Sequence, residues 1–167
     1  MTPIRAWQAR FAEADPSTLL RSGVLALAGF GVLGLLAELA FLRHWSSAGE
    51  LIVWPTLAAA GLATVVLAFQ PTRTRVLAIR WIAVAVAVLG VVGMWFHVTE
   101  NLTAGPLDRN FAATWDGLST LQQWFLAVTG GVGPAPALAP GSISEVALAI
   151  ILATLRHPAL AEARRPV

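Results

Sequence analysis

The chain has no cysteine and no lysine, and charged residues make up only 12% of it. Without cysteine there is no disulfide, thiolate metal site or cysteine nucleophile, so any metal would have to be held by His, Asp or Glu. All eleven positive charges are arginine and the formal net charge is +2. They cluster near the ends of predicted helices instead of forming a basic groove interleaved with aromatics, which argues against a nucleic-acid partner. A nucleophile elbow, a phosphate-binding loop, a His-Glu-x-x-His signature and a paired acid and base in a soluble pocket are also lacking, so the sequence points away from an enzyme.

What the chain has is apolar length. It is 57% hydrophobic, and residues 23–42, 51–69 and 76–96 form three long apolar runs in which only Glu38 and Arg80 carry charge. Coiled into helix, each run is about as long as the roughly 30 Å hydrocarbon core of a bilayer. A fourth, shorter run covers 143–155. The first run exceeds the roughly 7 to 15 apolar residues of a secretion signal and no Ala-x-Ala site follows it, so it reads as a retained anchor. These features predict an all-α integral membrane protein with four transmembrane helices at 17–43, 51–69, 76–97 and 143–157. The short connections 43–50 and 70–75 make the first three antiparallel neighbours in a bundle.

Two short amphipathic helices are expected at the membrane surface. In the segment 1–16, Thr2-Pro3 reads as a cap and first-turn proline, with Ile4, Trp7 and Phe11 recurring at helical spacing. In the loop 98–142, Phe111, Trp115, Leu118, Trp124 and Phe125 fall largely on one face. Asp15-Pro16 repeats the cap-then-proline signal and places the start of the first membrane helix near Ser17. Residues 130–141, rich in Gly and Pro, read as a loop, and Ser142-x-x-Glu145 reads as a capping box opening the fourth helix. That last run is short for a span, so the helix is expected to continue through Arg156 and His157 or to sit where the bilayer is thin.

Orientation follows from arginine counting, because cytoplasmic flanks carry the excess of positive residues. Arg5, Arg10 and Arg21 precede or open helix one, Arg73, Arg75 and Arg80 surround the turn between helices two and three, and Arg156, Arg164 and Arg165 follow helix four. With four spans these fall on one side. Arg43 and Arg109 lie on the other, with Glu50, Glu100, Asp108 and Asp116. Both termini are therefore expected in the cytoplasm, the chain in the cytoplasmic membrane, and 98–142 outside.

Chemistry has few candidates. Glu38 lies inside the first span, where an ionisable group costs up to about 2.5 to 3.5 kcal/mol on insertion scales and so usually faces protein or water. Gly31, Gly34 and Glu38 share a helical face, which predicts that Glu38 points into the bundle beside a closely approaching backbone. On helix three, Ala83, Ala87, Gly90, Gly93 and His97 form a second small-residue band, and Glu100 continues it at i+3 from His97. Four uses compete for these groups. Glu38 and His97 can pair to fix helix packing. Glu38, His97 and Glu100 can ligate a divalent metal. His44 and His97 can serve as axial haem ligands. Glu38 can line a proton or substrate pathway. Size, small-residue stripes and the missing catalytic signature favour an accessory, assembly or stabilising subunit of a larger membrane complex, partnered by lipid and by another membrane protein or a second copy. The alternative is a metal- or haem-binding redox or transport protein with its site at the outer end of helices one and three.

Overall fold

The computed structural model describes residues 15–161, in which all the regular secondary structure is helical, with no strand among them. Residues 1–14, which carry the surface helix expected in the segment 1–16, lie outside the described residues. The first helix, α1 (Pro16–Phe41), starts where the sequence predicts: the Asp15 carboxylate accepts the Ser17 N–H at 3.1 Å and Pro16 occupies the first turn. It ends in a 6→1 and 5→2 pair of backbone bonds, His44 N–H to Leu39 O at 2.9 Å and Arg43 N–H to Ala40 O at 3.1 Å. This places Arg43 at φ 52, a position that usually takes glycine.

The second apolar run is interrupted. A short α2 (Ala48–Leu51) is separated from α3 (Val53–Phe69) at Ile52. Pro55 causes the break, because its nitrogen has no hydrogen for the Leu51 carbonyl and its ring crowds that carbonyl. The third helix of the sequence reading, α4 (Arg73–Ala104), has 32 residues and is about 48 Å long, well beyond the hydrocarbon thickness. Thr72 caps its start by accepting the Arg75 N–H at 3.4 Å. A single helix over 111–125 does not form. Asp108 accepts the Asn110 N–H in a turn, Trp115–Gly117 makes one 3-10 turn, and α5 (Thr120–Thr129) begins only at a capping box between Ser119 and Gln122. Residues 130–140 then run as a loop, entered through Gly130 at φ 73.

The last apolar helix, α6 (Gly141–Thr154), has 14 residues and is about 21 Å long. It differs from expectation at both ends. No capping box forms at Ser142, because the helix already opens at Gly141 and the Ser142 N–H that Glu145 would cap is bonded to the Ala139 carbonyl of the preceding turn. At the other end α6 stops at Thr154. Leu155 is extended and Arg156 sits at φ 47, and the chain continues as α7 (Pro158–Ala161).

Despite its shortness α6 is the centre of the packing. Ile143, Val146, Ala147, Ile150 and Ala153 are buried against residues of α1, α3 and α4, including Val32, Leu57, Ala83 and Val86. The small-residue band of α4 makes this possible: a methyl group on Gly90 would lie 2.9 Å from the Pro140 carbonyl oxygen, and one on Gly93 2.9 Å from Pro140 Cβ. Ser144 Oγ donates to Ala87 O at 2.9 Å on the same band. The outer surfaces are apolar, with Phe30 77% and Trp81 75% exposed, as lipid contact requires. Three helical segments, Pro16–Phe41, Ala48–Phe69 and Arg73–Leu107, are long and apolar enough to cross a membrane.

Candidate functional site

The polar residues singled out from sequence are distributed as follows. Glu38 is exposed and does not point into the bundle. The reason is the length of α6. Gly31 faces Val146, whose Cγ2 would be 2.8 Å from an added methyl group. From Val146 back to Gly141 is about 7.5 Å of helix, while from Gly31 on to Glu38 is about 10.5 Å. Glu38 thus runs about 3 Å past the first residue of α6. Gly34, one turn before it, is open, with nothing within 4 Å of an added Cβ.

His97 is half-buried and its Nδ1 lies 3.1 Å from the Pro136 carbonyl oxygen, so it ties α4 to the 130–140 loop. Glu100 is exposed on α4. His44 follows the end of α1, and its carbonyl accepts the Trp54 indole N–H at 2.8 Å. Among the described residues no three His, Cys, Asp or Glu side chains gather in a group that could hold a metal.

At this loop-bearing end the organising side chain is Asn101. It is fully buried, donates from Nδ2 to Ala127 O at 3.0 Å and Ala135 O at 2.8 Å, and accepts the Ala135 N–H at 3.0 Å. One amide thus binds α4, α5 and the loop together. Gly133, at φ 78, permits the approach, since a methyl group there would lie 2.6 Å from Asn101 Cα. The sequence shows Asn101 only as the first residue of an Asn-Leu-Thr sequon, and its amide is fully occupied. Val98, Trp115, Ala127, Val132 and Ala137 form a small core around it.

The opposite end holds the strongest charge constellation, and sequence reasoning used its members only to orient the chain. A helix leaves its last carbonyls without partners and carries roughly half a negative charge there. Two arginines from other helices meet the end of α6. Arg80 of α4 donates from Nε to Thr154 Oγ1 at 3.0 Å and from Nη2 to Thr154 O at 2.9 Å. Arg21 of α1 donates from Nε to Ala153 O at 3.1 Å and from Nη2 to Arg156 O at 3.5 Å. Thr154 Oγ1 also donates to Ile151 O at 2.6 Å. The one arginine inside an apolar run therefore satisfies a buried helix terminus.

His157 follows three residues beyond α6. It is buried, and its Nδ1 accepts the Ala159 N–H at 3.2 Å, capping α7. Burial, with the Arg21 charge adding to it, pushes its pKa below the ordinary value and keeps the ring neutral. Beside it opens a cleft of about 600 Å³ between α1 and α3, with Thr18, Arg21, Ser22 and His157 on its polar wall and Ala26 and Ala68 on its apolar wall. The hint available in the sequence is Arg21 and Arg80 each standing just inside an apolar helix start, with Thr154 and His157 at the end of the short run. Comparison with protein-family models, with curated proteins and with solved structures finds no match to this chain.

Proposed function

We propose that this chain is an accessory, assembly or stabilising subunit of a larger complex in the cytoplasmic membrane. In this reading it spans four times as an antiparallel bundle, α6 being the short fourth span, with both termini in the cytoplasm. The arginine bias supports the orientation, since Arg21, Arg73, Arg75, Arg80 and Arg156 belong to one end.

The observation that carries the subunit reading is the exposed Glu38 on the last turns of α1. A carboxylate one turn from the end of an apolar helix is costly against lipid and gains from a partner that supplies a donor or a cation. Gly34 beside it lets another helix backbone approach closely. The other small-residue band, on α4, is consumed by internal packing, so the end of α1 is where an outside helix would dock.

The test is purification of the tagged chain from its native membrane in mild detergent. A stoichiometric membrane-protein partner is expected, and it is lost in Glu38→Ala and in Gly34→Leu while each variant keeps its thermal stability. Recovery of the parent chain as a monomer, or a partner retained by both variants, contradicts the reading.

A further inference from the structure

The cleft between α1 and α3 has a defined chemical character. Its polar wall stands at the arginine-bearing end of the bundle, at the level where α1 begins and α3 ends. Arg21 forms the centre of that wall. A guanidinium has five N–H donors, and among the described residues its partners are Ala153 O, through Nε, and Arg156 O, through one N–H of Nη2. Among these residues, Nη1 therefore retains both of its donors. The hydroxyls of Thr18 and Ser22, on exposed residues of the same helix, border the same space. Below them the walls turn apolar, through Ala26 of α1 and Ala68 of α3, and their small side chains leave the groove open along the helices.

Among the described residues, Arg21, Arg73, Arg75, Arg80 and Arg156 at this end are opposed by one carboxylate, Asp15, which is already bonded to Ser17 at the start of α1. Among the described residues the net charge at the mouth of the cleft is positive, which favours an anion. A free anion would use only the polar wall. The groove beneath it fits the start of an acyl chain, and an occupant that uses both is an amphiphile with its charge at the membrane surface.

We propose that the cleft between α1 and α3 binds one anionic phospholipid, its phosphate held by Arg21, Thr18 and Ser22 and one acyl chain laid along Ala26 and Ala68. The lipid ties the start of α1 to the end of α3 at the point where α6 ends short of the surface. The site is independent of the Glu38 surface at the other end of α1.

The test uses the full chain, delipidated in a nonionic detergent, with thermal unfolding as the readout. Dioleoyl phosphatidylglycerol, dioleoyl phosphatidylcholine and inorganic phosphate are added separately. At a hundredfold excess over Kd, single-site binding of phosphatidylglycerol raises Tm by roughly 5 to 10 °C. Phosphatidylcholine and phosphate leave Tm unchanged. Arg21→Gln abolishes the rise, and so does the double variant Ala26→Leu, Ala68→Leu, which fills the apolar limb from exposed positions and leaves Arg21 in place. Arg80→Gln disturbs the same helix end without lining the cleft, and there the rise persists. Equal shifts with the two lipids, a shift with phosphate alone, or a full response in the filled variant overturns the proposal. If Arg21→Gln does not fold, the filled variant and Arg80→Gln decide the outcome.

Discussion

Replacing Arg80 with glutamine tests whether the arginine is a structural cap or only a topology signal. The shorter, neutral side chain cannot reach Thr154, so two hydrogen bonds from a charged donor are lost, at 3.0 and 2.9 Å. Such bonds contribute about 1.5 to 3 kcal/mol each, and a cation at a partly buried helix C-terminus adds up to about 2 kcal/mol. Against this stands the desolvation of a half-buried guanidinium, which the substitution relieves; near a membrane edge this is smaller than the about 2.5 to 3.5 kcal/mol of the bilayer centre. The difference leaves a destabilisation of about 2 to 3 kcal/mol, or roughly 5 to 10 °C in Tm for a chain of this size. The assay is reversible unfolding in mixed micelles with increasing dodecyl sulfate, followed by tryptophan fluorescence. Arg80→Lys separates the two roles, because an ammonium keeps the charge and lacks the planar fork that serves Oγ1 and O together. It is expected to recover about half of the loss. Stability of Arg80→Gln within about 0.5 kcal/mol of the parent, or full recovery with lysine, refutes the capping argument.

Other outcomes follow from the same geometry. Arg43→Gly, which removes a side chain from a left-handed position at the end of α1, is expected to stabilise the protein by about 1 kcal/mol in the same unfolding assay. His157 is held neutral in the fold, so its pKa is lower folded than unfolded and the unfolded chain binds the extra proton. Its contribution is present above the ordinary value of 6.5 and is lost as pH falls through 6.5 toward the lowered folded value. Tm measured from pH 7.5 to 5 should decline, and His157→Asn, whose Oδ1 can still accept the Ala159 N–H, should flatten that part of the decline. Asn101→Leu removes three bonds and leaves one buried carbonyl, at Ala127, and a half-buried carbonyl and N–H, at Ala135, without the Asn101 partner, at about 1 to 3 kcal/mol for the buried group and less for the others. Hydrogen exchange should then show lost protection over 124–140 with α1 and α3 unchanged, and uniform loss across all helices would contradict the local role of Asn101.

The long apolar helices were legible because a bilayer would impose a length, and an uninterrupted apolar run of that length announces itself. The start of α1 was legible for a different reason, since Asp15-Pro16 is a local signal that needs no tertiary partner. What escaped was whatever depends on partners far along the chain. The last two turns of α4 leave the apolar pattern at His97, yet continue because Val98 and Asn101 bury against residues 115–137. The end of α6 at Thr154 is set by arginines 74 and more than 100 residues away, which no local pattern reveals. Ser142-x-x-Glu145 is a valid capping box on its own, but the preceding turn moves the helix start back to Gly141 and already satisfies the Ser142 N–H. Glu38 shares the helical face of Gly31 as periodicity requires, but periodicity cannot show that the neighbouring helix begins too late to cover it.

Because the chain has no cysteine, single cysteines can report the side of the membrane directly. They are placed at Thr72 between α3 and α4, at Ser119 before α5 and at Ala161 after α6, each exposed, and challenged in intact cells with a membrane-impermeant maleimide. The four-span account predicts that Ser119→Cys is labelled at once, whereas Thr72→Cys and Ala161→Cys are labelled only after permeabilisation. Labelling of Ala161→Cys together with Ser119→Cys in intact cells would place both ends of α6 on one side and contradict it.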